Sequence, residues 1–132
     1  MTTEQAPNMI MHIGELAEKS TMSLRTIRHY DDVGLLKPSG RSEGGFRLYT
    51  ADDLDRLLLI RQIKALGFSL EDMAGILQLI ATLRSDDTAA GTPAVRGELD
   101  GYIEQALERR RKLQDYLARG DEIIATLEAL GR

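Results

Sequence analysis

No cysteine occurs among the 132 residues, and that absence removes disulfides, thiolate zinc sites, iron–sulfur clusters and thiol nucleophiles together. Long hydrophobic runs are missing too. The longest, Leu57 to Ile60, falls far short of the roughly 20 residues that cross a bilayer, so no membrane partner is expected. Met1 to Asn8 lack the basic-then-apolar order of a secretion signal, which makes a cytoplasmic protein the expectation. Chemistry-bearing groupings are also scarce. There is no Gly-rich phosphate loop and no nucleophile motif, and His29 lies beside Asp31 and Asp32 only as a near neighbour whose side chain diverges from theirs on a helix. An enzyme is not expected, and neither is a cofactor. The two histidines are His12 and His29. His12 reads as a surface or helix-start residue, and no metal site is expected.

What is present is the size of one domain, or of a small domain with an appended element. The net charge of −4 argues against a polyanionic partner only superficially, because a duplex responds to the local field of the docking face. From Lys19 to Tyr30 the chain holds Lys19, Arg25 and Arg28 and no acid. Lys37, Arg41 and Arg47 follow, with Glu43 the only acid from Gly34 through Thr50. The acids gather at Asp52, Asp53 and Asp55 and in the C-terminal half.

Hydrophobic spacing and punctuation divide the chain into elements. Ile13 to Ser20 reads as a short helix with Ile13, Leu16 and Ala17 on one side. Thr21 to Ser23 breaks it, Ser23 is a good N-cap, and Leu24 to Val33 forms a second helix closed by Gly34. Two short helices joined by a three-residue turn have helix-turn-helix spacing. From Leu35 to Tyr49, two extended arms flank the Gly-rich centre at Gly40 to Gly45, which predicts a β-hairpin. Thr50 and Asp53 form a capping signature for a helix that ends at Gly67. Ser69 and Asp72 repeat it for a fourth helix with Leu70, Met73, Ile76, Leu77 and Ile80 inward. The expected organisation is a disordered stretch over 1–9, a winged helix-turn-helix DNA-binding domain over 10–84, a linker over 85–92 and a long helix over 93–132.

Thr92-Pro93 is a cap followed by proline at the first helical position. Beyond it Leu99, Ile103, Ala106, Arg110, Leu113, Leu117, Gly120, Ile124 and Leu127 recur in steps of four and three, the seam of a coiled coil. A helix from Pro93 to Leu130 is roughly 55 Å long at ~1.5 Å per residue and needs a partner to cover its stripe. Arg110 interrupts the seam; it either fixes register or pairs with an acid such as Glu104, Glu108 or Asp115. Gly120 marks a bend, a close crossing or a helix end. One continuous helix is favoured, with a short folded-back final helix after Gly120 as the alternative.

A helical wheel over Leu24 to Asp31 puts Leu24 and Ile27 on one side and Arg25 with His29 nearly opposite, flanked by Thr26 and Arg28. Such a face suits a phosphate-lined major groove; the plainer alternative is a solvated basic surface. In the hairpin, Arg47 and Tyr49 alternate with Phe46 and Leu48 and share a face. The pair reads as a phosphate clamp, with the Tyr49 ring packed and its hydroxyl directed outward; the plainer alternative is a tyrosine packed over the base of the wing beside an ordinary surface arginine.

Four segments, Ile13-Gly-Glu-Leu-Ala17, Thr26-Ile-Arg-His-Tyr-Asp-Asp-Val-Gly-Leu-Leu36, Gly45-Phe-Arg-Leu-Tyr49 and Leu66-Gly-Phe-Ser-Leu-Glu-Asp72, resemble the successive signature segments of the MerR family of transcription regulators. The resemblance runs from about Met11 to Ile80. It implies a mainly α fold with a recognition helix at Ser23 to Val33, a wing at Leu35 to Tyr49, and a homodimer joined by an antiparallel coiled coil. By position, Ser23, Arg25, Thr26, Arg28, His29 and Tyr30 fall to the DNA-reading helix, and Lys37, Arg47 and Tyr49 to the wing. Leu99, Ile103, Ala106, Arg110, Leu113, Leu117, Ile124 and Leu127 fall to dimerisation. The family's pattern also implies double-stranded operator DNA distorted within a promoter, with RNA polymerase as a further partner. The absence of cysteine excludes the family's thiolate route to metal sensing, and no appended drug-binding domain is expected after Arg132. Tyr102 and Tyr116, with the fourth helix, either wall a pocket for an effector small molecule or pack the dimer. Two rival readings are an architectural or recombination accessory factor and a coiled-coil protein-interaction scaffold.

Overall fold

A computed structural model describes residues 10–85 and 91–132. The disordered stretch expected over 1–9 and most of the expected linker lie outside the described residues. Strand β1 (Met11–His12) leads directly into α1 (Ile13–Ser20), followed by α2 (Leu24–Asp32), β2 (Gly40–Arg41), β3 (Arg47–Tyr49), α3 (Ala51–Ala65), α4 (Leu70–Arg84) and α5 (Pro93–Leu130).

The turn between α1 and α2 is built by backbone capping. Thr21 takes the left-handed conformation, φ 57°, and its amide donates to the Glu18 carbonyl. A β-branched residue is uncommon there. Arg61 supports it, with Nη1 2.6 Å from both the Ser20 carbonyl and Thr21 Oγ1. Ser23 then caps α2, its Oγ accepting from the Thr26 amide at 3.1 Å. At the far end the chain turns through Gly34, φ 81°, a conformation that glycine adopts without a Cβ clash. The amides of Leu35 and Leu36 fold back onto the Tyr30 carbonyl.

The wing is shorter than its sequence span. Leu35 and Leu36 are buried and pack as core, and the hairpin proper pairs Gly40 with Leu48 and Arg41 with Arg47. β1, too short for a periodicity signal, adds a third antiparallel strand by pairing Met11 with Tyr49 and His12 with Leu48, giving the order β1-β3-β2. The capping signature at α3 is reciprocal: Thr50 Oγ1 accepts from the Asp53 amide at 3.3 Å, and Asp53 Oδ2 accepts from the Thr50 amide at 2.9 Å.

The chain divides into two compact units, one through Gln62 and one from Ile63. The first has Met11, Leu16, Ile27, Tyr30, Leu36, Tyr49, Leu57 and Ile60 at its centre, each no more than 2% exposed. Leu24, expected inward, is 38% exposed, because it occupies the first position of α2, before the helix turns its apolar side to the core. In the second unit α4, expected with the DNA-binding part, packs on α5. Gly75 leaves room for the Tyr102 hydroxyl, which lies 2.3 Å from where a Cβ would stand. The Arg109 guanidinium lies 4.5 Å over the Phe68 ring and donates to the Gly67 carbonyl at 2.9 Å. Met73, Leu77 and Leu79 are buried, whereas Leu70, expected inward, is exposed at the start of α4.

α5 runs unbroken for 38 residues through Gly120, with no buried residue along it. No described helix is long and apolar enough to cross a membrane.

Candidate nucleic-acid interface

The amphipathic character of α2 sets the geometry of the site. Ile27, Tyr30 and Asp31 are buried, and that fixes the rotation of the helix about its axis. Arg25, Arg28 and His29 therefore face outward, all exposed, and the two arginines make no hydrogen bond or ion pair with another described residue. Thr26 sits at the edge of this face, its hydroxyl 2.8 Å from Ser23 Oγ. Both hydroxyls lie at the helix N-terminus, where unpaired amides favour an anion.

Tyr30 does not belong to the outward face. It is 2% exposed and its hydroxyl has no partner among the described residues. It lies three residues after Ile27 and so shares the inward side of the helix. Although carried to the DNA-reading helix by position, its side chain supports that helix from beneath.

The hairpin reading needs a similar correction. Arg47 and Tyr49 do share one face of β3, as alternation requires, but that face is the inner one. Tyr49 is 0% exposed and its hydroxyl is buried without a partner among the described residues; burial pushes its pKa upward. The outward hydroxyl expected of it is absent because this face of the sheet is turned to α1 and the core, which close over the ring. Arg47 is half-buried, with Nε donating to Asp31 Oδ2 at 3.0 Å. Lys37 Nζ stands 3.2 Å from the other oxygen of the same carboxylate, while its side chain stays 66% exposed.

Asp31 is the residue that sequence reading passed over as the first acid after a basic run. Its carboxylate joins the end of the recognition helix to both arms of the wing. Burial pushes its pKa up, but hydrogen bonds from Arg47 and Lys37, with their charges, bring it below the usual carboxylate range. Its signal in the sequence was present but unspecific: a carboxylate four residues after Ile27, on the inward stripe. A second brace holds the other arm, with Ser39 Oγ donating to Asp53 Oδ2 at 2.6 Å. The Leu35 carbonyl accepts from Arg56 Nε at 2.7 Å.

At the wing tip Gly45, φ 82°, closes a turn in which its amide donates to the Ser42 carbonyl and the Ser42 amide to the Phe46 carbonyl, both at 2.9 Å. Arg41 Nη1 braces the tip on the Gly45 carbonyl at 3.1 Å. Phe46 stands out at 67% exposure. The site is thus a basic helix face beside a wing locked to it by one buried carboxylate.

Of the expected dimerisation residues, Leu99 and Ala106 are half-buried and Ile103, Arg110, Leu113, Leu117, Ile124 and Leu127 are exposed. No residue of that seam is fully buried among the described residues, and from Leu113 onward its apolar members are all exposed.

Comparison with known proteins matches residues 11–80 to the family model described as MerR HTH family regulatory protein. An uncharacterised HTH-type transcriptional regulator of Pseudomonas aeruginosa is 40% identical over 108 residues, covering 80% of this chain and 81% of that protein. The HTH-type transcriptional activator TipA of Streptomyces coelicolor is 45% identical over 108 residues, 77% of this chain but 43% of TipA. Among solved structures, HiNmlR, a MerR family regulator lacking the sensor domain and bound to promoter DNA, aligns with a TM-score of 0.66 at 29% identity. That alignment covers 86% of this chain and 80% of HiNmlR.

Proposed function

Because the chain belongs to the MerR family of DNA-binding transcriptional regulators, we propose that it acts as a homodimer on pseudo-palindromic promoter DNA, with α2 in the major groove and the wing on the adjacent backbone. The observation that carries this reading is the division of α2: a buried Ile27, Tyr30 and Asp31 face that fixes the helix, against an exposed Arg25, Arg28 and His29 face whose two arginines make no hydrogen bond or ion pair with another described residue. HiNmlR, bound to promoter DNA, supports the same use of the same fold. Arg25, Arg28 and His29 meet bases or phosphates, with Ser23 and Thr26 at the helix start. Lys37 is a phosphate contact beside them. Arg47, held by Asp31 through Nε, keeps its two terminal nitrogens for a phosphate, and Tyr30 and Tyr49 act only through packing.

Two recognition helices joined rigidly enforce a half-site separation, and the duplex deforms to match it. The apolar stripe of α5, through Ile103, Leu113, Leu117, Ile124 and Leu127, joins the two copies. A promoter with badly phased polymerase elements is brought into or held out of alignment by that deformation, so RNA polymerase is the functional partner.

The test uses DNA recovered by the protein from the genome of its host, with fluorescence anisotropy as readout. Reversing Arg25 and Arg28 to glutamate abolishes binding while thermal unfolding stays cooperative. With six to ten phosphates neutralised per dimer, affinity falls by roughly 10³-fold or more between 50 and 200 mM salt. Retained affinity in the reversed variant, or a flat salt response, overturns the assignment.

A further inference from the structure

Two residues of α5 have no explanation within the chain that carries them. Gly120 sits inside a continuous helix, where glycine costs about 1 kcal/mol against alanine. It is not in a left-handed conformation, and a Cβ added there meets nothing within 4 Å. Arg110 occupies a seam position otherwise held by apolar residues, yet it is exposed and makes no ion pair with a described residue. Gly97 and Gly101 also have open space around them, but they lie off the seam.

We propose that the two oddities answer each other across the dimer: α5 pairs antiparallel with a second copy about a two-fold axis at the level of Asp115, so that Arg110 of each copy packs over Gly120 of the other. This rests on the reading of α5 as the dimer helix and adds its register. In an antiparallel coiled coil, seam residues equidistant from the axis share a layer. An axis at Asp115 pairs Leu113 with Leu117, Ala106 with Ile124 and Ile103 with Leu127, so apolar residues meet apolar ones in each of these layers and the leucines meet at the centre. Without a Cβ, Gly120 gives the aliphatic stem of Arg110 a path across the opposing backbone to water, the usual solution for a long cation at an apolar boundary.

The alternatives lose that match. Moving the axis half a heptad toward the N-terminus sets Arg110 against Leu113 and crowds the two Arg110 cations near the dyad. The opposite shift sets Arg110 against Leu127. A parallel pair stacks Arg110 on Arg110 and leaves two glycines facing a gap. Each buries a guanidinium against apolar side chains or a like charge, which is costly. The same register brings the exposed Ile123 of the second copy level with Leu107. There α5 borders a groove of about 470 Å³ that includes Leu66, Glu104, Arg109, Leu113 and Tyr116.

The cysteine-free chain allows a direct test. The doubly substituted variant A106C/I124C is oxidised and run without reductant, beside A106C/L117C and L113C/I124C, which report the two shifted registers, and I124C alone, which reports parallel pairing. Within one helix the paired sites are roughly 16–27 Å apart at ~1.5 Å per residue, far beyond disulfide reach, so a covalent band is between copies. The expected result is a covalent dimer for A106C/I124C and little for the others. Dominant linking by any other variant overturns the register while leaving the dimer intact. A monomer for the unsubstituted protein by sedimentation equilibrium at micromolar concentration overturns the dimer reading itself. Independently, Gly120→Leu, a better helix former, weakens dimerisation by about tenfold or more, and R110A/G120L restores it. Tighter association of the single variant, or no recovery in the double one, also refutes the pairing.

Discussion

Replacing Asp31 by asparagine keeps the volume and one acceptor but removes the charge that Arg47 and Lys37 share. The Asp31 side chain is 9% exposed and its oxygens lie 3.0 and 3.2 Å from the two cationic nitrogens. Hydrogen bonds to charged groups contribute about 1.5–3 kcal/mol each. The Lys37 side chain is 66% exposed and Arg47 is 28% exposed, so solvent screens the first contact strongly and recovers part of the second. A loss of about 2 kcal/mol at pH 7 follows, mostly from Arg47, which lowers the unfolding midpoint by roughly 5–10 °C for a chain of this size. The sign with pH is set by the depressed pKa of Asp31 in the fold. Its stabilisation is complete above the unfolded-state value of about 3.9 and is lost as pH falls through the lower folded-state value. Urea unfolding of the wild type and Asp31→Asn from pH 7 down to about pH 3 therefore gives a difference that holds constant to about pH 5 and narrows only below about pH 4. The variant also binds DNA more weakly, because the wing is no longer tied to the recognition helix. A difference under about 0.5 kcal/mol at pH 7, or one that does not change with pH, refutes the clamp. So does strict additivity of Asp31→Asn with Arg47→Met, since residues in direct contact are expected to couple.

Three further outcomes follow from the packing. Tyr49→Phe removes a buried hydroxyl without a partner, so stability is unchanged or rises by up to about 1 kcal/mol, and DNA affinity measured by anisotropy is unchanged; a loss of affinity would restore the outward-hydroxyl reading. Gly75→Ala places a Cβ against the Tyr102 hydroxyl and destabilises by about 1 kcal/mol despite alanine's better helix propensity, while G75A/Y102F exceeds the wild type in thermal midpoint. Ser23→Ala removes the α2 cap and costs about 1 kcal/mol in denaturant unfolding.

The helices were legible because their signals are local. Ser23, Ser69 and Thr92 cap the helices they were expected to cap. α1 covers the expected Ile13–Ser20, and α5 runs Pro93–Leu130 through Gly120. Capping, apolar spacing and terminal glycine act over three or four residues, so a short stretch of sequence contains the whole cause. Four ordered motifs were likewise enough for the family, since fold and motif order travel together.

What the tertiary structure decided is where strand faces and charges end up. Alternation placed Arg47 and Tyr49 on one side of β3, but it could not say that this side would be the one turned to α1 and the core. Nor could spacing reveal that Asp31, sixteen residues before Arg47 in the chain, would meet it at 3.0 Å. A carboxylate's partner is set by which elements converge on it, and convergence is a property of the packed core. The sequence alone determined the helices and the class of partner; the fold determined the third strand and which basic side chains are braces and which remain exposed for DNA, because burial is allotted only when the elements close on one another.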